Sequence, residues 1–228
     1  MAVIERYTSS PSPEIYDQII EITMEYASEL SLEGIAANNP LHSVLQCSLG
    51  LEVAIYLSRM DESSESKTEL VVALDENDRS KVVGYNLYLP LRSASDACGI
   101  CYMAVLESHR NQGVGGAMMH EVLAHYPHAE LSCFIEKVPF YQKFGFELIG
   151  TRETQVRLNT RGKSADDFMS HIIAGRLAEN PVVIEQYNAQ LALSGKLAMD
   201  HGQREHARQF AQLKLRAIAY VQEHGVTA

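Results

Sequence analysis

Apolar positions in this chain change their period twice. Val3 to Tyr7 is short and rich in β-formers, a first strand. After the break at Ser9-Ser10-Pro11-Ser12-Pro13, Ile15, Ile19, Ile22 and Tyr26 recur at helical spacing, with Ser12 placed to cap the helix and Pro13 at its first position. Gly34 and Asn38-Asn39-Pro40 end that run, and Ser43 is expected to open a second helix carrying Leu45, Leu49, Val53, Ile55 and Leu57. Past the polar stretch 61–67 the period falls to two. Glu69 to Leu74, the turn cluster Asp75-Glu76-Asn77-Asp78, and Lys81 to Leu89 together read as a hairpin. A third strand, Cys98 to Val105, follows a loop over 90–96.

The helical period then returns over Gly113–His125, with Val114, Met118, Val122 and Leu123 apolar, and Pro127 marks its end. Glu130 to Phe134 is a strand. Val138 to Phe144 is a short helical stretch closed by Gly145 as a C-cap. Phe146–Ile149 and Thr154–Leu158 are two more strands. From Arg161 the composition shifts. Ser164 to Asp167 resembles a capping box, and helices are expected over about 164–179, 181–193 and 196–224, the last with Phe210, Leu213, Ala217 and Val221 as an apolar stripe. This tail carries no chemical motif. Its expected role is to pack against the core or to form a homodimer surface. The pattern divides the chain into 1–160 and a helical extension, 161–228.

Composition narrows the field. The 228 residues are 46% hydrophobic and 21% charged, which excludes a disordered tail and leaves room for a full core. No apolar run approaches a membrane span, and the first ten residues show no secretory pattern, so a cytoplasmic protein without membrane association is expected. The formal net charge is −10, and residues 1–99 hold 6 Lys+Arg against 16 Asp+Glu. That balance disfavours nucleic acid and suits a cationic small partner. Cys98 and Cys101 spell C-x-x-C. Three residues apart on a strand they face opposite ways, so core thiols are expected rather than a redox or zinc pair. His120 and His125, near His128, stand five apart, as do His201 and His206, off the one-face spacing of a metal pair, and no metal is expected.

One segment carries chemistry. Arg110-Asn111-Gln112-Gly113-Val114-Gly115-Gly116 lies between a strand and a helix. Small residues at a helix start leave several N–H groups pointing one way, a pocket for an anion that the helix dipole reinforces. No Gly-Lys-Ser/Thr follows, and Met118 breaks the dinucleotide fingerprint. On its own the turn could equally be a plain cap. A second segment, Phe140-Tyr141-Gln142-Lys143-Phe144-Gly145-Phe146, stands 26 residues beyond Gly115, with one helix and one strand between. Read alone, Tyr141 is more readily a core tyrosine packed beside Phe140 and Phe144.

Together these segments resemble the GNAT superfamily of acyl-CoA-dependent N-acetyltransferases, whose turn reads Arg/Gln-x-x-Gly-x-Gly/Ala and whose later segment reads aromatic-Tyr-x-x-x-Gly-Phe. The likeness extends more loosely over 1–160. It implies an α+β fold: a mixed, mostly antiparallel sheet flanked by helices and splayed open after a bulge, here with the helical C-terminal extension added. It further implies that acetyl-CoA lies along the backbone of Met103, Ala104 and Val105, that Arg110, Asn111, Gln112, Gly113, Val114, Gly115 and Gly116 form its pyrophosphate turn, and that a bulge N–H near Val105 polarises the thioester. An amine acceptor, a small cation or a protein lysine, would attack directly. Tyr141 would protonate the leaving thiolate, as a phenol titrating near about 10 can. Some relatives have a Glu six residues before Val105; Gly99 stands there, leaving Asp96, Glu130 and Glu136 as substitutes. The resemblance also admits a non-catalytic acyl-CoA-binding regulatory module.

Overall fold

Strand β2 (Glu69–Leu74) is buried along its whole length and β3 (Val82–Pro90) nearly so, so both faces of the sheet must be covered. In the computed structural model, which describes residues 2–61, 67–92, 94–164 and 177–226, they are. The sheet has seven strands in the order β1-β2-β3-β4-β5-β7-β6, with β1 (Val3–Tyr7), β4 (Ala97–Val105), β5 (His128–Cys133), β6 (Glu147–Arg152) and β7 (Gln155–Asn159). Every neighbouring pair is antiparallel except β4–β5. The α+β class that the resemblance implied is therefore the one observed.

Helices α1 (Pro13–Glu25) and α3 (His42–Ser58), joined through the single turn α2 (Ala27–Leu30), cover one face. Ile19, Ile22, Val53 and Leu57 interlock there with Leu70, Val72, Tyr85 and Leu87. Ser12 occupies the cap position of α1 with extended backbone, but its side chain makes no capping bond. Helix α4 (Val114–His125) covers the other face, where Met118, Met119 and Val122 meet Val71, Ala73 and Val83. Cys98 packs on this side and Cys101 on the α1–α3 side, so the thiols diverge as the alternation requires.

The sheet opens between its halves. β4 and β5 run parallel but pair only at Ala97–Gly99 with His128–Glu130, after which β5 stays with β7. Just beyond that point β4 bulges: Ile100 faces Tyr88 and Tyr102 faces Leu87, so Cys101 is the extra residue. The bulge expected near Val105 thus lies four residues earlier. Its position is set by register between two strands, which local composition does not carry.

The C-terminal helices α6 (Pro181–Ser194) and α7 (Lys196–Glu223) form a hairpin against this body. Asn180 caps α6, its side chain accepting from the Val182 N–H at 3.0 Å. Ala217 and Val221 of α7 belong to the α4-side core, and Met199 packs with Leu45 and Leu49 of α3. At Gly202 even a Cβ would come within 2.7 Å of the Pro40 ring, so helix and loop pack without a side chain between them. The helix expected over 164–179 and its capping box fall largely outside the described residues, as does most of the 61–67 loop.

Candidate functional site

The strand-to-helix turn is built from unusual backbone. Asn111 (φ 61°) and Gly113 (φ 83°) are both left-handed, and the second sits where any side chain would be strained. That twist points the amides of Val114, Gly115 and Gly116 off the start of α4. The first intrahelical bond is that of Ala117 N–H to the Gly113 carbonyl (2.9 Å), so the three preceding amides have no partner within the helix. Gly115 is closely overlaid: a Cβ there would sit 3.1 Å from Met103 and 3.3 Å from Phe140.

This turn opens into a cavity of about 600 Å³ that runs into the gap between β4 and β5. Of the predicted contact residues, Met103, Val105, Arg110, Asn111, Gly113, Val114, Gly115 and Gly116 line it. Gln112 is exposed and its side chain bonds back to the Ser108 carbonyl (2.8 Å). Ala104 is buried on the opposite face. Backbone alternation explains the split. Leu106 N–H bonds to Val83 O on β3, so Ala104, two residues earlier, also turns its groups to β3, while Met103 and Val105 face the open edge. An added strand could pair only with those two.

Arg110 is engaged within the protein. Its Nε donates to the Val105 carbonyl (3.0 Å), its Nη2 reaches Glu29 (3.1 Å), and its guanidinium lies 4.6 Å over the Tyr26 ring. Glu29 also accepts from Lys137 at 2.8 Å, so the triad spans the cavity mouth. Burial pushes the Glu29 carboxyl up, but Lys137 and Arg110 outweigh it and hold it below the ordinary range.

Tyr141 stands on α5 (Val138–Gln142), on the wall of the same cavity, edge-on to Phe140 (5.0 Å) and Phe146 (5.8 Å). Gly145, at φ 80°, ends the segment. The Tyr141 hydroxyl has no hydrogen-bond partner among the described residues. Burial, with the Cys133 thiol beside it, raises its pKa, so it holds its proton throughout the neutral range.

A second cavity of about 980 Å³ lies between α3, β6 and the start of β5. It meets the first at Ile100, Cys101, Leu131, Ser132 and Gln155, where the sheet splits. The three carboxylates considered as bases are all ion-paired: Asp96 to Arg161, Glu130 to Arg157 (2.5 Å) and Glu136 to Arg216 (2.7 Å). Sequence reading passed over Glu52, which lines this second cavity from α3. A lone acid within an apolar helical run was the only signal.

Among the described residues, no three His, Cys, Asp or Glu side chains gather into a metal-holding group, and no helix is long and apolar enough to cross a membrane.

A splayed mixed sheet with a glycine turn leading into its gap defines an acyltransferase-type fold. Residues 66–148 match the family model described as Acetyltransferase (GNAT) domain. Over that segment the chain is similar to GNAT acetyltransferases. Its fold is similar to that of PaiA N-acetyltransferase from Thermoplasma acidophilum, solved in complex with coenzyme A (15% identity, 69% of this chain and 98% of that one, TM-score 0.52). It is equally similar to the histone acetyltransferase HPA2 and related acetyltransferase from Corynebacterium glutamicum (14% identity, 72% and 98%, TM-score 0.52). An acyl-CoA N-acyltransferase from Pseudomonas aeruginosa matches at 12% identity over 70% of this chain and 99% of that one, with TM-score 0.50. No curated protein matches the sequence.

Proposed function

We propose that this chain is an N-acetyltransferase that moves an acetyl group from acetyl-CoA to a primary amine, a cationic small molecule or a lysine, by direct attack. One observation carries the reading: the glycine turn, whose first amides have no partner within the helix, the open edge of β4 and Tyr141 all border one cavity. The residues fit the group they would hold. The amides of Val114, Gly115 and Gly116 suit a pyrophosphate, and Met103 and Val105 offer main-chain pairing to an amide-bearing arm. Acetyl-CoA supplies the activated acyl group. Tyr141, protonated and with no partner of its own, gives its proton to the thiolate as the carbon–sulfur bond breaks. The acidic N-terminal part favours a cationic acceptor. The helical extension, 161–228, is read as a packing addition to the acetyltransferase domain of 1–160.

The second reading, an acyl-CoA-binding module without turnover, draws on the ion-pairing of Asp96, Glu130 and Glu136. Mixing the protein with acetyl-CoA and a panel of polyamines, aminoglycosides and lysine derivatives, and following thiol release, separates the two. Release that depends on the amine supports the enzyme. Tight CoA binding without release over the whole panel supports the module.

A further inference from the structure

An alkylamine is mostly protonated at neutral pH, so direct attack needs a group that takes a proton from the acceptor. Glu52 is placed for it. It projects from α3 into the larger cavity, half-buried, and packs against β4 at Cys101 and Tyr102, where the strand bulges and the two cavities join. Among the described residues no lysine or arginine lies within salt-bridge distance of it. This sets it apart from Asp96, Glu130 and Glu136. The titratable and charged groups around it are Tyr102 and Cys101 on β4, Tyr56 on its own helix, and Arg152 on β6. Elsewhere on the cavity wall are His128, Glu130 with its Arg157, and Glu33 with its His206.

Resting on the acetyltransferase reading, we propose that Glu52 receives the ammonium of the acceptor in the larger cavity and takes its proton before attack. The ammonium N–H proton passes to a Glu52 oxygen. The freed nitrogen lone pair forms the bond to the thioester carbonyl carbon, the carbon–sulfur bond breaks, and the thiolate takes the Tyr141 proton. The acylated nitrogen sheds its extra proton, which restores Tyr141, and Glu52 releases its own proton to solvent, so each turnover frees one proton overall. Burial pushes the Glu52 carboxyl up to about 6, against the lowering by Tyr102 and Arg152. It is then mostly ionised at neutral pH, yet more basic than an exposed carboxylate, which suits a general base. The cavity also explains why the carboxylate missing at Gly99 is dispensable: the acid comes from the helix that covers the strand, not from the strand.

The test compares wild type with Glu52→Gln in full-length protein, following thiol release with acetyl-CoA and the amine panel. For an alkylamine, kcat/KM is expected to fall about 10²–10³-fold, with CoA affinity unchanged within about threefold. An arylamine, already neutral at pH 7, should lose far less, a difference that a merely structural role for Glu52 would not produce. The acid limb of the wild-type pH profile, near pH 6, should vanish in Glu52→Gln. It should persist in His128→Gln, which removes the histidine of the same wall. Glu136→Gln, at an exposed ion pair, should match wild type. Equal losses for both amine types, or an unchanged profile, would overturn the role of Glu52 and leave the acetyltransferase reading standing. Wild-type protein that binds CoA but acetylates no amine would remove that reading, and this proposal with it.

Discussion

Among the described residues, the buried carboxylate Glu69 and the half-buried Glu52 have opposite surroundings. Glu69 on β2, in the closed part of the sheet, is saturated. It accepts from Arg6 at 2.7 and 3.2 Å, from the Tyr88 hydroxyl at 3.1 Å and from the Tyr126 hydroxyl at 2.9 Å. Glu52, beside the split between β4 and β5, has Tyr102 as its hydrogen-bond partner, without an ion pair among the described residues, and lines a cavity. A buried carboxylate with all its acceptors used ties strands together. One left open must find a cation or a proton from outside. The same contrast runs through the sheet, where β1 to β4 pair over long stretches while β4 leaves β5 after three residue pairs. Completed bonding marks the scaffold, and incomplete bonding marks where a ligand would finish the structure.

The sharpest way to break this contrast is at Tyr141. Its hydroxyl has no partner to lose, so Tyr141→Phe should leave the melting temperature where it is. As the proposed acid its loss should cut turnover about 10²–10³-fold, while CoA affinity, measured by calorimetry, stays within about threefold. A clear drop in melting temperature with little change in rate would place Tyr141 in the scaffold instead.

Glu69 should behave in reverse. Glu69→Gln leaves the Arg6 guanidinium without its counter-charge in a largely covered site. Breaking a buried pair from one side costs about 3–5 kcal/mol; because the Arg6 side chain keeps 24% of its exposure, the loss here should be nearer about 2–3 kcal/mol. Denaturant unfolding checks the size. The rate per folded molecule should be that of wild type, and a rate that fell with stability intact would undo the scaffold assignment.

The two carboxylates also show what the sequence could convey. The glycine turn and the aromatic segment around Tyr141 could be picked out because each is local: a helix start with small residues and a run of aromatics each fit within seven positions. Glu69 was opaque, since its partners lie 63, 19 and 57 residues away in the chain. Glu52 sits between Leu51 and Val53 in a helix with apolar residues around most of its circumference, so periodicity offered no face for it to mark. The cavity that gives it meaning is made by β6 and the splayed strands, none of them near it in sequence. The bulge at Cys101 was misplaced for the same reason, being a relation between two strands. The divergence of Cys98 and Cys101, which needs only alternation along one strand, was read correctly.

Gly113 tests the anion turn itself. Nothing lies within 4 Å of a Cβ built there, so space is not limiting and the cost of a side chain is conformational. Holding valine at φ 83° should destabilise the fold by about 1–2 kcal/mol. It should also weaken CoA binding about tenfold or more by turning the amides that follow, about 1.4 kcal/mol or above. Affinity unchanged in Gly113→Val would detach the turn from cofactor binding under both functional readings.

The smallest effect is expected at Glu29, which belongs to neither class: its bonds are complete, but its side chain is 39% exposed. Exposed ion pairs contribute about 0.2–1 kcal/mol, and Glu29→Gln should cost no more, less still at high salt. The pH dependence has a definite sign. Lys137 and Arg110 hold this carboxyl below the ordinary range despite its burial. Its contribution is therefore complete above the ordinary carboxylate value, near about 4.3, and is lost as pH falls through the lowered value of the folded state. Wild type and Glu29→Gln should differ in stability at pH 7 and converge in acid. If instead the gap widened on acidification, the triad across the cavity mouth would not be the source of the difference, and the mouth would have to be held by something other than this carboxylate.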